Sequence, residues 1–325
     1  MRAVLCNGFH GIKALSIGEA AEPRPGADEV LIDVHAACVS FADYLMICGG
    51  YQKRPALPYV PGMDAAGVVV ACGENVQRFR PGDRVACAAW FGSLAERMTA
   101  KASDSARLPE NVDFVVGSTI QHCYLTAWYA LVDRARLQAG ETVLVTGAAG
   151  GVGLACVEIA HLFGARVIAA VGSAAKASVV REYGADEVID YSSQDVRERV
   201  KALTGGEGLD ICFENVGGTL FATLARLMRW NGRLMPIGFT SGEIPSLAMN
   251  LPLLKNYSIV GAFTGAWAER FPDERARAAD MIMAWVAEGK LLPRIDRVLP
   301  LEQTADAMTA IADRSVQGRV VLRVR

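Results

Sequence analysis

A glycine-rich stretch, GAAGGVG at Gly147–Gly153, carries the clearest chemical signal in this sequence. Glycine has no Cβ, so such a loop can turn tightly and approach a ligand closely. The loop follows an apolar run, Thr142–Val145, and precedes apolar residues at helical spacing that end before Gly164. A helix that begins at such a loop offers N–H groups and the positive end of its dipole to an anion. This placement predicts a site for the pyrophosphate of a dinucleotide, although glycines alone would also fit a plain tight turn.

A second β-branched run, Arg166–Val171, completes a strand–loop–helix–strand unit and indicates which nucleotide is bound. It ends in Gly172 and Ser173, and Lys176 follows three residues after Ser173. In NAD-binding proteins a carboxylate at this strand end bonds the ribose 2′-hydroxyl. Here a hydroxyl and an ammonium group stand instead, and both would donate to a 2′-phosphate. The sequence therefore predicts NADPH, the alternative for Lys176 being a solvated lysine in the first turn of a helix.

Composition narrows the class of protein. The chain has 325 residues, is 52% hydrophobic and carries a net charge of −2. It has no basic stripe for nucleic acid and no apolar run long enough to span a membrane. The N-terminal segment lacks the apolar core of a signal peptide. The cysteines occur singly, without a C-x-x-C motif, which predicts reduced thiols in a cytoplasmic protein. The eight cysteines are at positions 6, 38, 48, 72, 87, 123, 156 and 212.

The elements that must position the glycine loop fall into two groups. The first 120 or so residues contain short β-branched runs punctuated by Gly and Pro, whereas helical and strand patterns alternate from Leu125 onward. Such alternation predicts a doubly wound parallel sheet covered by helices. We expect a helix at Thr219–Gly232 and a closing strand at Arg319–Val324 that returns to the first group. The predicted domains are residues 1–123 with 263–325, and residues 124–262.

At this level of detail the chain resembles a known family. VHAACVSFADYLMICGGY, LPYVPGMDAAGVV with PGDRV, LTAWYALVDRARLQAGETVLVTGAAGGVG and SVQGRVVL carry the resemblance, which extends over nearly the whole chain. They are similar to the zinc-independent medium-chain dehydrogenases/reductases, in particular the NADPH:quinone oxidoreductase (zeta-crystallin-like) family. The resemblance implies an α/β fold with a GroES-like β-rich domain and a doubly wound Rossmann domain, a cofactor between the two, and a homodimer.

The resemblance also implies roles for single residues. Gly147, Ala149, Gly150, Gly151, Val152 and Gly153 correspond to the pyrophosphate loop. Gly172, Ser173 and Lys176 correspond to the 2′-phosphate turn, and Tyr191 corresponds to a position that lines the adenosine. Arg314 aligns with an arginine that some members use as a second 2′-phosphate ligand. Gly238, Phe239, Phe263 and Thr264 correspond to segments that flank the nicotinamide.

The same comparison predicts that no metal is bound. Related alcohol dehydrogenases hold zinc with a Cys, a His-Glu pair and a later Cys or Asp; Ser40, Met63 and Asp64 stand at the first three of these positions. A hydroxyl and a thioether cannot replace Cys and His in a tetrahedral zinc site. The histidines, at positions 10, 35, 122 and 161, show no ligand spacing either.

Without a Lewis acid, acceptors that delocalise charge are favoured, so the expected reaction is hydride transfer from NADPH to a quinone or a similar conjugated carbonyl. Ser40, Tyr44 and Tyr51 are the polar candidates for the catalytic site. Ser40 replaces the usual Asn of the quinone reductases, and Leu45 replaces a frequent Tyr.

Two other functions stay open. One is an enone, alkenal or enoyl-thioester reductase that uses the same cofactor; Lys53 and Arg54 are then the candidates for binding the phosphates of an acyl-CoA. The other is a non-catalytic NADPH-binding protein with a sensing or structural role.

Overall fold

A computed structural model describes all residues from Met1 to Arg325. The chain forms fifteen strands: β1 Arg2–Cys6, β2 Leu15–Glu19, β3 Glu29–Val39, β4 Asp64–Cys72, β5 Arg84–Ala88, β6 Arg97–Lys101, β7 Ser105–Arg107, β8 Thr142–Thr146, β9 Arg166–Val171, β10 Glu187–Asp190, β11 Leu209–Glu214, β12 Met228–Pro236, β13 Ser258–Ile259, β14 Ile295–Pro300 and β15 Arg319–Arg323. Its eleven α-helices are α1 Phe41–Ile47, α2 Phe114–Gly117, α3 Ile120–Trp128, α4 Gly151–Leu162, α5 Ala177–Glu182, α6 Val196–Leu203, α7 Gly218–Leu224, α8 Asn250–Lys255, α9 Thr264–Arg270, α10 Pro272–Ala287 and α11 Thr304–Ala312. None of these helices combines the length and the apolar character needed to cross a bilayer.

The chain divides into two compact units, residues Met1–Leu125 with Trp267–Arg325, and residues Thr126–Ala266. The boundaries predicted from the sequence lie after residues 123 and 262. The predicted closing strand is present as β15, which pairs with β3 in the first unit.

The first unit is built around a seven-stranded sheet in the order β14-β15-β3-β4-β5-β7, with β6 also paired to β3. The eleven-residue strand β3 forms its centre and contacts β4, β6 and β15. Apolar side chains such as Val30, Ile32 and Val34 alternate into a core that also takes in Met46 from α1. This is the β-rich domain expected from the sequence.

The second unit is a six-stranded, fully parallel sheet in the order β10-β9-β8-β11-β12-β13. Its central strands are buried on both faces, so β8 and β9 read as continuous apolar runs rather than alternating ones. The chain leaves β8 towards β9 on one side, and β11 lies on the other side of β8. Ligands of doubly wound sheets bind at this kind of reversal, outside the carboxyl ends of the strands.

The helix predicted at Thr219–Gly232 is wrong in its second half. Helix α7 ends at Leu224 and strand β12 begins at Met228, because Met228 pairs with Leu209 of β11. The β11–β12 register shifts before Arg233, and Asn231 adopts a left-handed conformation with φ 62°. Sheet pairing therefore overrides the helical periodicity of this segment.

Candidate cofactor and acceptor site

The glycine loop lies at the carboxyl end of β8. Gly147 turns the chain with φ 59°, and Gly150 is the N-cap of α4 with φ −81° and ψ 171°. No side chain caps this helix, so its first N–H groups face the loop without a side-chain acceptor. An anion at this position would meet these donors and the positive end of the helix dipole.

Gly153, in the first turn of α4, lies so close to the loop that no side chain fits there. A Cβ built on Gly153 would stand 2.3 Å from the carbonyl oxygen of Gly147 and 2.8 Å from the Cα of Ala148. Both are backbone atoms and cannot turn aside. The absence of a side chain at Gly153 therefore allows the first turn of α4 to pack directly on the loop.

The strand end that was expected to select the nucleotide is assembled from β9 and β10. Gly172 follows β9, and the Tyr191 hydroxyl lies 2.9 Å from the place that a Gly172 Cβ would take. The N–H of Tyr191 donates to the Val171 carbonyl at 3.0 Å, which fixes the two strand ends side by side. The Ser173 carbonyl accepts from the Lys176 N–H at 3.1 Å in a short 3-10 turn. The structure thus brings Gly172, Ser173, Lys176 and Tyr191 to one strand end.

The same edge carries a carboxylate that the sequence motifs do not single out. Asp190, the last residue of β10, accepts from the Ser192 hydroxyl at 2.6 Å and from the Ser192 N–H at 3.0 Å. These hydrogen bonds hold the pKa of Asp190 below its usual value. The carboxylate is thus engaged by its own turn.

The residues predicted to flank the nicotinamide lie beyond β12 and before α9. The N–H groups of Ile237 and Gly238 both donate to the Glu214 carbonyl, at 2.8 and 3.3 Å, which places Gly238 and Phe239 beside the end of β11. Phe263 is half exposed, and the hydroxyl of Thr264 is buried without a hydrogen-bond partner.

A buried polar cluster at the ends of β8 and β11 was missed by the sequence analysis. It consists of Thr146, Glu214 and Asn215. The Thr146 hydroxyl donates to Glu214 at 3.0 Å and accepts from the Asn215 N–H at 2.7 Å. The available signal was a Glu at the end of an apolar strand, separated by only two residues from the Gly-Gly pair 217–218.

In the first unit, Ser40 is the N-cap of α1 and forms a capping box with Asp43. The Ser40 hydroxyl donates to the Asp43 carboxylate at 2.6 Å, and the Ser40 N–H donates to the same oxygen at 2.8 Å. The pattern Ser-x-x-Asp before an apolar run is a recognisable sign of such a cap. Burial raises the pKa of Asp43 to about 6, although its bonds to Ser40 oppose the rise.

The two tyrosine candidates lie in different surroundings. Tyr51 packs against Trp90, with ring centroids 6.4 Å apart, and burial together with the nearby Asp43 raises the pKa of Tyr51. Tyr44 packs on Phe41 and lines an open pocket of about 350 Å³ with Phe9, His10, Gly11, Ile12, Lys13 and Cys48. Ser40 and Tyr51 therefore both lie near Asp43, whereas the Tyr44 side chain lines the open pocket. Arg314 follows α11 in the same unit, with φ 56°.

The positions that hold zinc in related dehydrogenases have other partners here. Ser40 is bonded to Asp43, Met63 is buried, and Asp64 pairs with Arg319 at 3.0 Å in the interior of the unit. Burial raises the pKa of Asp64 to about 7, against the opposing charge of Arg319. Nowhere do three or more His, Cys, Asp or Glu side chains form a group that could hold a metal ion. The donor set at Ser40 and Met63 does not fit a His/Cys zinc site.

Family models match both units of the chain. Residues 26–132 match the alcohol dehydrogenase GroES-like domain, and residues 151–281 match the zinc-binding dehydrogenase domain. The rat protein called quinone oxidoreductase-like protein 2 is 37% identical, over all of this chain and 92% of its own length. Human quinone oxidoreductase is 34% identical, over 99% of this chain and 97% of its own length.

Two solved structures that contain NADPH have the same fold. A mycobacterial protein in complex with NADPH superposes with a TM-score of 0.94 at 30% identity, and the match covers all of both chains. Escherichia coli quinone oxidoreductase in complex with NADPH gives a TM-score of 0.93 at 25% identity, again over all of both chains.

Proposed function

We propose that this chain, which belongs to the quinone oxidoreductase branch of the medium-chain dehydrogenase/reductase family, is an enzyme that transfers hydride from NADPH to quinones. The observation that carries the proposal is the carboxyl edge of the parallel sheet. Three segments lie along that edge: the glycine loop with the uncapped start of α4, the Gly172–Lys176 turn, and the Gly238–Phe239 segment. NADPH in the two structural relatives supports the same cofactor here.

The cofactor contacts are divided among these segments. The pyrophosphate is bound by the loop that contains Gly147, Ala149, Gly150, Gly151, Val152 and Gly153. The 2′-phosphate is bound by Ser173 and Lys176. Gly172 belongs to the same 2′-phosphate turn, and Tyr191 lies against the adenosine. The nicotinamide is flanked by Gly238, Phe239, Phe263 and Thr264. These assignments fit a helix N-terminus that favours anions and a strand end with a hydroxyl and an ammonium group.

The chemistry needs binding and positioning more than covalent catalysis. Bound NADPH supplies the hydride, and a proton must also reach the quinone to give the hydroquinone and NADP⁺. Ser40, Tyr44 and Tyr51 are the polar groups proposed at the acceptor. Ser40 is hydrogen-bonded to Asp43, and the raised pKa of that carboxyl, about 6, suits an exchange of protons near neutral pH.

We further propose that the reaction proceeds without zinc. The reason is the donor set, since the Ser40 hydroxyl is already bonded to Asp43 and the Met63 thioether is a poor zinc ligand. The activity should therefore survive prolonged dialysis against a chelator, and elemental analysis should give much less than one zinc per chain. Stoichiometric zinc whose removal abolishes activity would contradict this part of the proposal.

An acyl-CoA acceptor is less well supported. The Lys53 ammonium pairs with Glu269 at 3.2 Å and lies 4.8 Å from the centre of the Trp90 ring. The Arg54 guanidinium lies over the Phe9 ring at 4.4 Å. Both cations thus already have partners within the first unit. Binding the phosphates of an acyl-CoA would require them to give up these contacts.

A homodimer is the proposed assembly, and the edge of the second sheet supports it. Strand β13 ends the sheet with Ser258 and Ile259 exposed, which leaves one side of the strand open to pairing. Several large apolar side chains of the same unit are also exposed, from 68% to 78%: Ile244, Met249, Leu253 and Leu254. A second copy that pairs its own β13 with this edge would cover them. A cytoplasmic location is proposed as well, supported by eight free thiols.

The experiment that tests the function is an acceptor panel followed by the loss of NADPH absorbance. We expect turnover with 1,4-benzoquinone and naphthoquinones and none with simple primary alcohols and NADP⁺. Turnover of an alkenal or an enoyl-CoA with no quinone activity would replace the acceptor and keep the cofactor. Binding of NADPH without turnover of any acceptor would favour the non-catalytic function.

A further inference from the structure

Glu214 is a fully buried carboxylate whose hydrogen bonds shape the turn after β11. One oxygen, Oε1, accepts from the Thr146 hydroxyl at 3.0 Å and from the Val216 N–H at 2.8 Å. The other, Oε2, accepts from the Gly217 N–H at 2.9 Å. These donors are all neutral, and a buried carboxylate that meets only neutral donors is costly to retain. Burial accordingly raises the pKa of Glu214.

The same cluster fixes the start of the glycine loop. Thr146 is the last residue before Gly147, and its hydroxyl accepts from the Asn215 N–H at 2.7 Å. The Asn215 side-chain amide returns a bond to the Thr146 carbonyl at 2.8 Å. Side chains at the end of β8 and at the end of β11 are thus hydrogen-bonded to each other's strand, and these bonds set the direction in which the chain enters the loop.

The main chain of residues 214–216 is also hydrogen-bonded to the segment that contains Gly238 and Phe239. The Asn215 carbonyl accepts from the Thr240 N–H at 3.0 Å, and the Val216 carbonyl accepts from the Ser241 N–H at 2.8 Å. With the bonds from Ile237 and Gly238 to the Glu214 carbonyl, residues 214–216 connect the glycine loop to residues 237–241.

We propose that Glu214 is a positioning residue that keeps the pyrophosphate loop and the nicotinamide-flanking segment in a fixed mutual arrangement, so that both halves of NADPH are bound in the geometry for hydride transfer. The proposal rests on NADPH being the cofactor. It predicts that loss of the carboxylate weakens binding of the whole dinucleotide and slows turnover at saturating NADPH, since a small displacement of the nicotinamide is enough to slow transfer. The adenosine end, at the ends of β9 and β10, should be unaffected.

The test compares Glu214→Gln, Thr146→Val and Thr146→Ser with a control on the same two strands. The control is Asp210→Asn: Asp210 accepts from the Thr142 N–H at 2.8 Å and thus links β11 to β8 at the opposite end of the sheet. For each protein, the Kd of NADPH, the Kd of 2′,5′-ADP and kcat with 1,4-benzoquinone at saturating NADPH are measured.

We expect Glu214→Gln and Thr146→Val to raise the Kd of NADPH at least tenfold and to lower kcat at least fivefold, with the Kd of 2′,5′-ADP within twofold of wild type. Thr146→Ser keeps the hydroxyl and should therefore leave the Kd of NADPH and kcat close to the wild-type values. Asp210→Asn should change neither of them. The inference is overturned if the Glu214 and Thr146 variants match wild type, if the control shows the same losses, or if affinity for 2′,5′-ADP falls in parallel. Failure of wild type itself to bind NADPH would instead refute the proposed function, and the role of Glu214 with it.

Discussion

Replacing Gly153 with alanine tests the packing of the glycine loop directly. In an ordinary helix, a change from Gly to Ala stabilises the fold by about 1 kcal/mol. Here the added methyl would lie 2.3 Å from the Gly147 carbonyl oxygen, and contacts below 3.0 Å are essentially never found, so loop or helix must move by at least 0.7 Å (3.0 minus 2.3). Forced overpacking of this kind costs about 1–3 kcal/mol. We therefore expect a net destabilisation of up to about 2 kcal/mol where propensity alone predicts a gain.

The displacement should also affect the cofactor, because the loop that moves is the one proposed to bind pyrophosphate. We expect NADPH affinity to fall at least tenfold, measured by nicotinamide fluorescence, while urea unfolding reports the stability. Gly261→Ala is the control, since a Cβ there would meet no atom within 4 Å. A Gly153→Ala protein that is as stable as wild type and binds NADPH equally well would refute the reasoning.

Three further predictions concern the 2′-phosphate, the buried carboxyl and the assembly. Lys176→Ala should weaken NADPH binding about tenfold or more and leave NADH binding unchanged in parallel titrations. The reason is that a charge-assisted hydrogen bond contributes about 1.5–3 kcal/mol, and about 1.4 kcal/mol corresponds to a tenfold change in affinity. Equal losses for both cofactors would argue against a phosphate contact. Burial raises the pKa of Asp43 from 3.8 to about 6, so between these values the folded chain holds a proton that the unfolded chain has released, and the free energy of unfolding should fall as pH rises through this window. Asp43→Asn should reduce that slope by up to about 1.4 kcal/mol per pH unit in urea titrations at several pH values, and an unchanged slope would contradict the assignment. Leu253→Asp should shift the protein from dimer to monomer in sedimentation velocity, because it places a charge on the exposed apolar surface. Leu292→Asp is the control, since Leu292 is an exposed leucine of the other unit. A dimer that persists in Leu253→Asp would locate the interface elsewhere.

The family, the fold class and the central strand–loop–helix–strand unit could be predicted from sequence, because their signals are local. The apolar run of β8, the glycines of the loop and the β-branched run of β9 lie within a single short segment, Thr142–Val171, and each pattern reports on its own backbone. Periodicity failed at Met228–Gly232, where a helical pattern is drawn into the sheet by its pairing with β11. A local pattern cannot reveal that competition.

The partners of the site residues were decided only by the tertiary structure. Thr146 and Glu214 are 68 residues apart in the chain and meet because β11 lies beside β8. Gly172 and Tyr191 meet because β10 lies beside β9, and Tyr51 comes to lie near Asp43. The sequence by itself determined which segments become strands, loop and helix, since backbone preference and burial period act over a few residues. Which buried polar groups satisfy one another depends on the order of strands in the sheet, and that order is set by packing of the whole unit.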